Sequence, residues 1–174
     1  PARLKEYHEV FSGNVIAQNR LKGVGFLSRE DAINYGVTGP SGRGSGWACD
    51  VRKRSPYAAY DKVQFDEVLY NEGDSYARYM VRMKEIEQSL HILEQLVDNI
   101  PEGDYLAKTK PIIKVPEGRY FKEVEAARGA FGIYLESRGD KFPYRLKVNS
   151  PGFNLVGAVD HMTRGSKIDD LIAI

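Results

Sequence analysis

Residues 74–99 carry the pattern that most restricts the fold. Asp74 is a residue type that caps a helix N-terminus. After it, Tyr76, Met80, Met83, Ile86, Leu90, Leu93, Val97 and Ile100 follow at steps of three or four, which is the spacing of one helical face. Arg82, Lys84, Glu85, Gln88, Glu94 and Asp98 stand on the other side. Pro101 and Glu102-Gly103 supply the stop signal. Such a helix runs for about 39 Å at ~1.5 Å per residue. The other elements are therefore expected to pack along it, with the apolar stripe facing the core.

The flanking sequence divides into an N-terminal helical part and a C-terminal strand part. Leu4, Tyr7, Val10 and Phe11 predict helix over 3–22, broken near Ser12-Gly13-Asn14. Ser28, with Glu30 and Asp31 behind it, predicts a capped helix that ends at Gly36. Residues 36–73 hold five closely spaced glycines, Trp47 and the charged run Asp50-Val51-Arg52-Lys53-Arg54. They read as a long irregular loop of the kind that often carries function. Beyond a proline-marked linker (104–118) the period changes to two. Tyr120, Val124 and Ala126 read as one strand. Phe131, Ile133 and Leu135 read as a second, and Tyr144, Leu146 and Val148 as a third, with a hairpin loop at 137–141. Ser150-Pro151 then starts a helix, and another is expected from Ser166. The fold class is thus α+β, mainly helical around one long central helix with a small antiparallel β-sheet, in a single domain over 1–174.

Several classes of function are excluded or disfavoured. The net charge is +1 with no long basic run, so nothing draws the chain to nucleic acid. No apolar run approaches the ~20 residues that span a bilayer. A single cysteine, Cys49, cannot form an internal disulfide. His8, His91 and His161 are scattered, without a second ligand at metal-binding spacing. The glycine loop lacks the G-x-x-x-x-G-K-[ST] pattern of a phosphate cradle. Arg43 within it contacts an anion or a partner subunit, or hydrogen-bonds loop carbonyls. The residue type suits all of these. Asp50, Arg52 and Lys53 read as a salt-bridged surface patch or a subunit contact. Glu125 beside Arg128 reads as a buried ion pair.

Three ordered blocks carry a resemblance. The first is Gly36-Val37-Thr38-Gly39-Pro40, Arg43-Gly44-Ser45-Gly46, Asp50-Val51-Arg52-Lys53 and Pro56-Tyr57. The second is Gly73-Asp74-Ser75-Tyr76-Ala77-Arg78-Tyr79 with Arg82 and Gln88-Ser89-Leu90. The third is Glu125-Ala126-Ala127-Arg128-Gly129, Tyr144-Arg145, Ser150-Pro151, Arg164-Gly165 and Asp170-Leu171-Ile172-Ala173. Together they resemble an internal, carboxyl-side segment of NuoD, the quinone-site subunit of respiratory complex I (NADH:quinone oxidoreductase), and they cover nearly the whole chain. Ser41 and Gly42 depart from the pattern, which usually has two bulky apolar residues there. Cys49 stands where an aromatic residue is common. If side chains of this loop line a cavity in relatives, its wall is expected to be wider or more flexible here.

The resemblance implies a fold related to the large subunit of nickel–iron hydrogenases. It implies an enzyme that passes electrons from NADH through iron–sulfur clusters in neighbouring subunits to quinone and couples this to proton translocation. The implied partners are the other complex I subunits (B, C, I, H), and membrane contact is only through them. The implied location is the peripheral arm at the cytoplasmic face of the inner (plasma) membrane. Quinone-cavity or subunit-interface candidates are Arg43, Asp50, Arg52, Lys53, Tyr57, Arg78 and Arg164. No catalytic residue and no bound cofactor are assigned to the chain. The quinone headgroup histidine and tyrosine of the family have no counterpart in it. The chain starts at Pro1 and stops inside the Lys167–Ile174 helical pattern, so it is expected to be part of a longer polypeptide. Two rival readings are the large subunit of a membrane-bound nickel–iron hydrogenase and a non-catalytic scaffold. The expected outcome of a direct assay is no quinone reductase turnover by the purified chain alone. Turnover without other subunits would overturn the assignment of the chemistry to sequence outside this chain.

Overall fold

The structure is a computed structural model that describes residues 2–174. Its elements are α1 (Ala2–Tyr7), which runs on as a π-helical turn His8–Ser12, then α2 (Val15–Leu21), α3 (Arg29–Tyr35), α4 (Gly39–Gly44), α5 (Val51–Arg54) and α6 (Ser75–Val97). The sheet β1 (Gly118–Ala126), β2 (Gly129–Ser137) and β3 (Arg145–Asn149) follows. Helix α7 (Pro151–Thr163) and a 3₁₀ turn Ile168–Ile172 close the order. The chain is α+β, as expected.

The helix starts are set by side-chain caps that satisfy otherwise orphaned N–H groups. Asn14 accepts from Ile16 N and Ala17 N, and Ser28 from Asp31 N. Asp74 Oδ1 accepts from Ala77 N at 2.8 Å, while its Oδ2 accepts from Gly23 N at 2.8 Å, so one carboxylate starts α6 and ties it to the N-terminal part. Pro151 at the first turn starts α7. The predicted break in the first helix falls at Gly13-Asn14.

The sheet has the order β1-β2-β3, antiparallel throughout. Ala126 pairs with Gly129, so Ala127 and Arg128 form a two-residue hairpin turn. That turn lies directly on the start of α4. Gly39 (φ +71°) leaves no room for a side chain, because a Cβ there would sit 2.5 Å from Gly129 Cα. The same approach is fastened by Thr38 Oγ1, which accepts from Ala130 N at 2.9 Å.

Two apolar clusters hold the elements together. Leu27, Ala32, Val37, Ala158 and Met162 form one, flanked by Trp47 and Leu155, and join α3 to α7. Val63, Phe65 and Ile92 form the other, against Tyr60 and Leu96.

Three sequence expectations differ from the structure. Residues 36–73 are not wholly irregular, since α4 and α5 lie within them. The last segment is a 3₁₀ turn beginning at Ile168 rather than an α-helix from Ser166. Helix α6 also buries a different side from the one predicted. Ala77, Arg78, Val81 and Ile92 are buried, and of the predicted stripe Met83 joins them, whereas Leu93 and Val97 are 60% and 62% exposed. Part of the inward side faces an extended stretch of backbone, which needs hydrogen-bond partners. Gln88 Oε1 accepts from Asp66 N at 2.9 Å. Gln95 accepts from Gln64 N and donates to Gln64 O at 2.8 and 2.6 Å. Polar side chains therefore occupy positions that burial alone would have given to leucines.

Gly39→Ala is expected to cost at least ~2 kcal/mol, from backbone strain plus the clash with the hairpin turn. Gly139→Ala, at φ +82° in open space, should cost only ~1 kcal/mol. Urea unfolding of the two variants checks this. Equal costs would mean that the turn does not constrain α4.

Candidate functional site

The motif residues converge on one buried guanidinium. Arg43 lies on α4 and is 1% exposed. Its Nε donates to Glu85 Oε1 of α6 at 2.6 Å, and its Nη1 donates to Glu125 Oε1 of β1 at 2.8 Å. Asp50 Oδ2 lies 4.0 Å from the same Nη1. The other oxygen of Glu125 accepts from Val51 N at 3.0 Å, at the start of α5. Asp50 is buried as well. It caps α5 by accepting from Arg52 N and takes Arg52 Nη2 at 2.6 Å, while its own N–H donates to Glu67 Oε1 at 2.8 Å. Tyr57 closes the group, its hydroxyl accepting from Glu125 N at 3.1 Å.

The open alternatives for Arg43 are thus resolved for its side chain: its partners are carboxylates, not loop carbonyls. Glu125 is in a buried pair, but with Arg43 rather than Arg128. Asp50 is interior, so it is no part of a surface patch. Only Lys53 and one side of Arg52 reach that surface, stacked over Phe65 at 4.0 and 5.0 Å. The sequence pattern puts Glu85 on the solvated side of the long helix. Only the partner it meets across the fold reveals its role.

Burial sets the electrostatics. Desolvation alone would lower the Arg43 pKa, but Glu85, Glu125 and Asp50 outweigh it and hold the guanidinium charged. Burial pushes Glu85 above the ordinary carboxyl value, and Arg43 offsets part of that rise. The asymmetry is physical, since Arg43 faces several carboxylates while Glu85 has Arg43 as its one short ion-pair partner among the described residues. Burial also pushes Asp50 up, but hydrogen bonds and charge from Arg52, with help from Arg43, bring it below its usual value.

The remaining candidates lie apart. Arg78 is buried on α6 and donates to Gly25 O, Gly73 O and Ser75 Oγ. Arg164 is exposed at the end of α7, paired with Asp160 at 2.5 Å. His161 reaches Asp31 at 3.3 Å and joins α7 to α3.

A Cβ on Gly42 would sit 3.2 Å from Cys49 Sγ and 3.3 Å from the Trp47 ring. The Val37 carbonyl oxygen is nearer still to that Cβ, so backbone as well as side chains closes the space around Gly42.

The arrangement clamps four segments together and turns its charged groups towards one another. Burial raises the Cys49 thiol to about 11, which disfavours the nucleophilic thiolate. Among the described residues no cluster of three His, Cys, Asp or Glu is placed to hold a metal. Among them, too, no helix is long and apolar enough to cross a membrane.

The family model described as respiratory-chain NADH dehydrogenase, 49 kDa subunit, matches residues 1–114 and 107–174. The C/D subunit of NADH-quinone oxidoreductase from Phocaeicola vulgatus is 68% identical over 171 residues, covering 98% of this chain and 33% of the relative. The protein of the same name from Bacteroides fragilis is 67% identical, covering 98% and 32%. The D subunit of NADH-quinone oxidoreductase from Desulfotalea psychrophila is 51% identical over 172 residues, covering 98% and 46%. The chain spans between about a third and a half of the length of these relatives.

Arg43→Met is expected to destabilise the fold by ~3–5 kcal/mol, because it strands the largely buried carboxylates of Glu85 and Glu125. Its pH dependence has a definite sign. Glu85 is already raised, and loss of Arg43 raises it further. Protonation then favours the folded variant, and that stability is lost as pH rises through the folded pKa. The deficit against wild type should narrow as pH falls from 7 towards ~4.3, the ordinary Glu value. Urea unfolding across this range tests it, and a constant or growing deficit would contradict the clamp.

Proposed function

Since the chain belongs to the family of the 49 kDa subunit of respiratory-chain NADH dehydrogenase, we propose that it forms the framework and subunit-contact portion of the quinone-site subunit of an NADH:quinone oxidoreductase. In this reading residues 1–174 form one domain, the carboxyl-side portion of a larger NuoD-type polypeptide. Its fold is related to that of the hydrogenase large subunit, with helices gathered about α6. The whole enzyme oxidises NADH, passes electrons through iron–sulfur clusters in neighbouring subunits to quinone, and couples the transfer to proton translocation. The other complex I subunits (B, C, I, H) are its partners. The chain meets the membrane only through them, in the peripheral arm at the cytoplasmic face.

One observation carries the framework role. The residues that define the motifs are consumed by one another. Arg43, Asp50, Glu125 and Tyr57 pair internally, which leaves rigidity as their contribution. Lys53, the outer side of Arg52 and Arg164 are the contact candidates at the surface. The exposed stripe of Ile86, Leu93 and Val97 on α6, continued by Ile100 beyond its end, supports a contact role too. An apolar row of this kind is suited to burial against the rest of the enzyme.

The test is Glu125→Gln introduced into the full-length gene. The expected result is less assembled enzyme, with an unchanged KM for quinone and an unchanged turnover per assembled complex. Normal assembly combined with an altered quinone KM would sink the framework reading and place Glu125 in the chemistry.

A further inference from the structure

His8 and Ser12 begin and end the π-helical turn that continues α1, and Gly13 N closes it by donating to His8 O at 2.9 Å. Wide turns of this kind occur mostly as single bulges, frequently at functional sites. This one assembles a chain of exchangeable protons. Ser12 is buried. Its Oγ lies 2.9 Å from His8 Nδ1 on one side and 2.9 Å from the Tyr79 hydroxyl of α6 on the other. His8 Nε2 lies 3.8 Å from Glu87 Oε1, further along α6. Neighbours fix the turn: Ser12 O accepts from the Tyr76 hydroxyl at 3.1 Å and from Gln18 Nε2 at 2.8 Å. The Phe11 and Tyr79 rings stand 4.9 Å apart, centre to centre.

The directions of these hydrogen bonds are coupled. A hydroxyl has one proton to donate, so Ser12 gives it either to His8 or to Tyr79. A neutral imidazole carries one N–H and an imidazolium two. When His8 is neutral, Glu87 favours the N–H at Nε2, because a bare nitrogen there would face a carboxylate. Nδ1 is then an acceptor, Ser12 donates to it, and Tyr79 donates to Ser12. When His8 is charged, Nδ1 becomes a donor. Ser12 accepts from it and turns its own proton to Tyr79, whose O–H is released for another acceptor. We propose that His8 and Ser12 form a proton-operated switch that reverses the hydrogen bond at Tyr79, from donor to Ser12 when His8 is neutral to acceptor from Ser12 when His8 is charged. The imidazole gains one proton at Nδ1, the two hydroxyls rotate, and no other bond changes.

The charges around His8 are identified by element. On α6 they are Glu87 and Lys84, paired with each other at 3.0 Å. On α1 and the turn they are Arg3 and Glu6, paired at 2.8 Å, with Lys5 and Glu9. On the side of α2 they are Arg20, paired with Asp170 at 3.3 Å, and Lys22, stacked over Tyr76 at 4.9 Å. Among the described residues only Glu87 comes within ion-pair reach of the imidazole.

The experiment is NMR of the full-length protein, isotope-labelled at the tyrosine Cζ, whose resonance reports whether the hydroxyl donates or accepts. The Tyr79 line is assigned by its loss in Tyr79→Phe. Between about pH 8 and 5, where histidine takes up its proton, this line should titrate in wild type and stay flat in His8→Gln and Ser12→Ala. A flat wild-type line overturns the proposal without recourse to any variant of the switch. So does a titration that persists in Ser12→Ala, the sign of a through-space field from His8, or in His8→Gln, the sign of another titrating group. The readout is a resonance rather than turnover, so it stands or falls independently of the enzyme assignment.

Discussion

A buried guanidinium cannot keep its water shell, and the structure is arranged around that cost. Arg43 is matched by Glu85 from α6 and Glu125 from β1. Each carboxylate must then be held by its own element in a fixed register. A one-residue slip of β1 would turn Glu125 to the other face of the sheet. The second oxygen of Glu125 also receives Val51 N, so the start of α5 depends on the same strand. Loop, helix and sheet are thereby fixed relative to one another by one charge. This is why a glycine-rich segment is ordered here, although its composition alone suggests freedom.

Helix α6 serves two environments. Part of its inner side meets extended backbone, whose N–H and C=O groups are satisfied by Gln88 and Gln95. Towards its C-terminal end its outer side carries exposed apolar residues. Hydrophobic periodicity reports where apolar residues lie, not which side the chain itself covers. In a protein that is all core, the two coincide. They separate when a helix faces irregular backbone on one side and keeps an apolar stripe exposed on the other.

The family motifs take on a physical meaning in this setting. Thr38-Gly39-Pro40 brings Thr38 and Gly39 against the β1–β2 turn, where Gly129 supplies the matching absence of a side chain. Arg43, Asp50 and Glu125, each from a different quoted stretch, meet in one network. Gly42 is enclosed in the same way, by the Val37 carbonyl, Cys49 and the Trp47 ring.

The sequence by itself determined the features that depend on near neighbours. The helix starts at Ser28, Asp74 and Ser150, the length of α6 and the alternation of the three strands are all local, and all were legible. So was the family, through motifs in order. What only the tertiary structure decided was pairing across long separations. Glu85 reads as a solvated helix residue, Asp50 as part of a surface patch or subunit contact and Glu125 as the partner of Arg128, and nothing within a few positions of them signals that they share Arg43. The buried side of α6 was likewise undecided, since it depends on backbone hydrogen bonds to residues more than twenty positions away in sequence. A charge is on the surface or in the interior according to what folds over it, and that is a property of the whole chain.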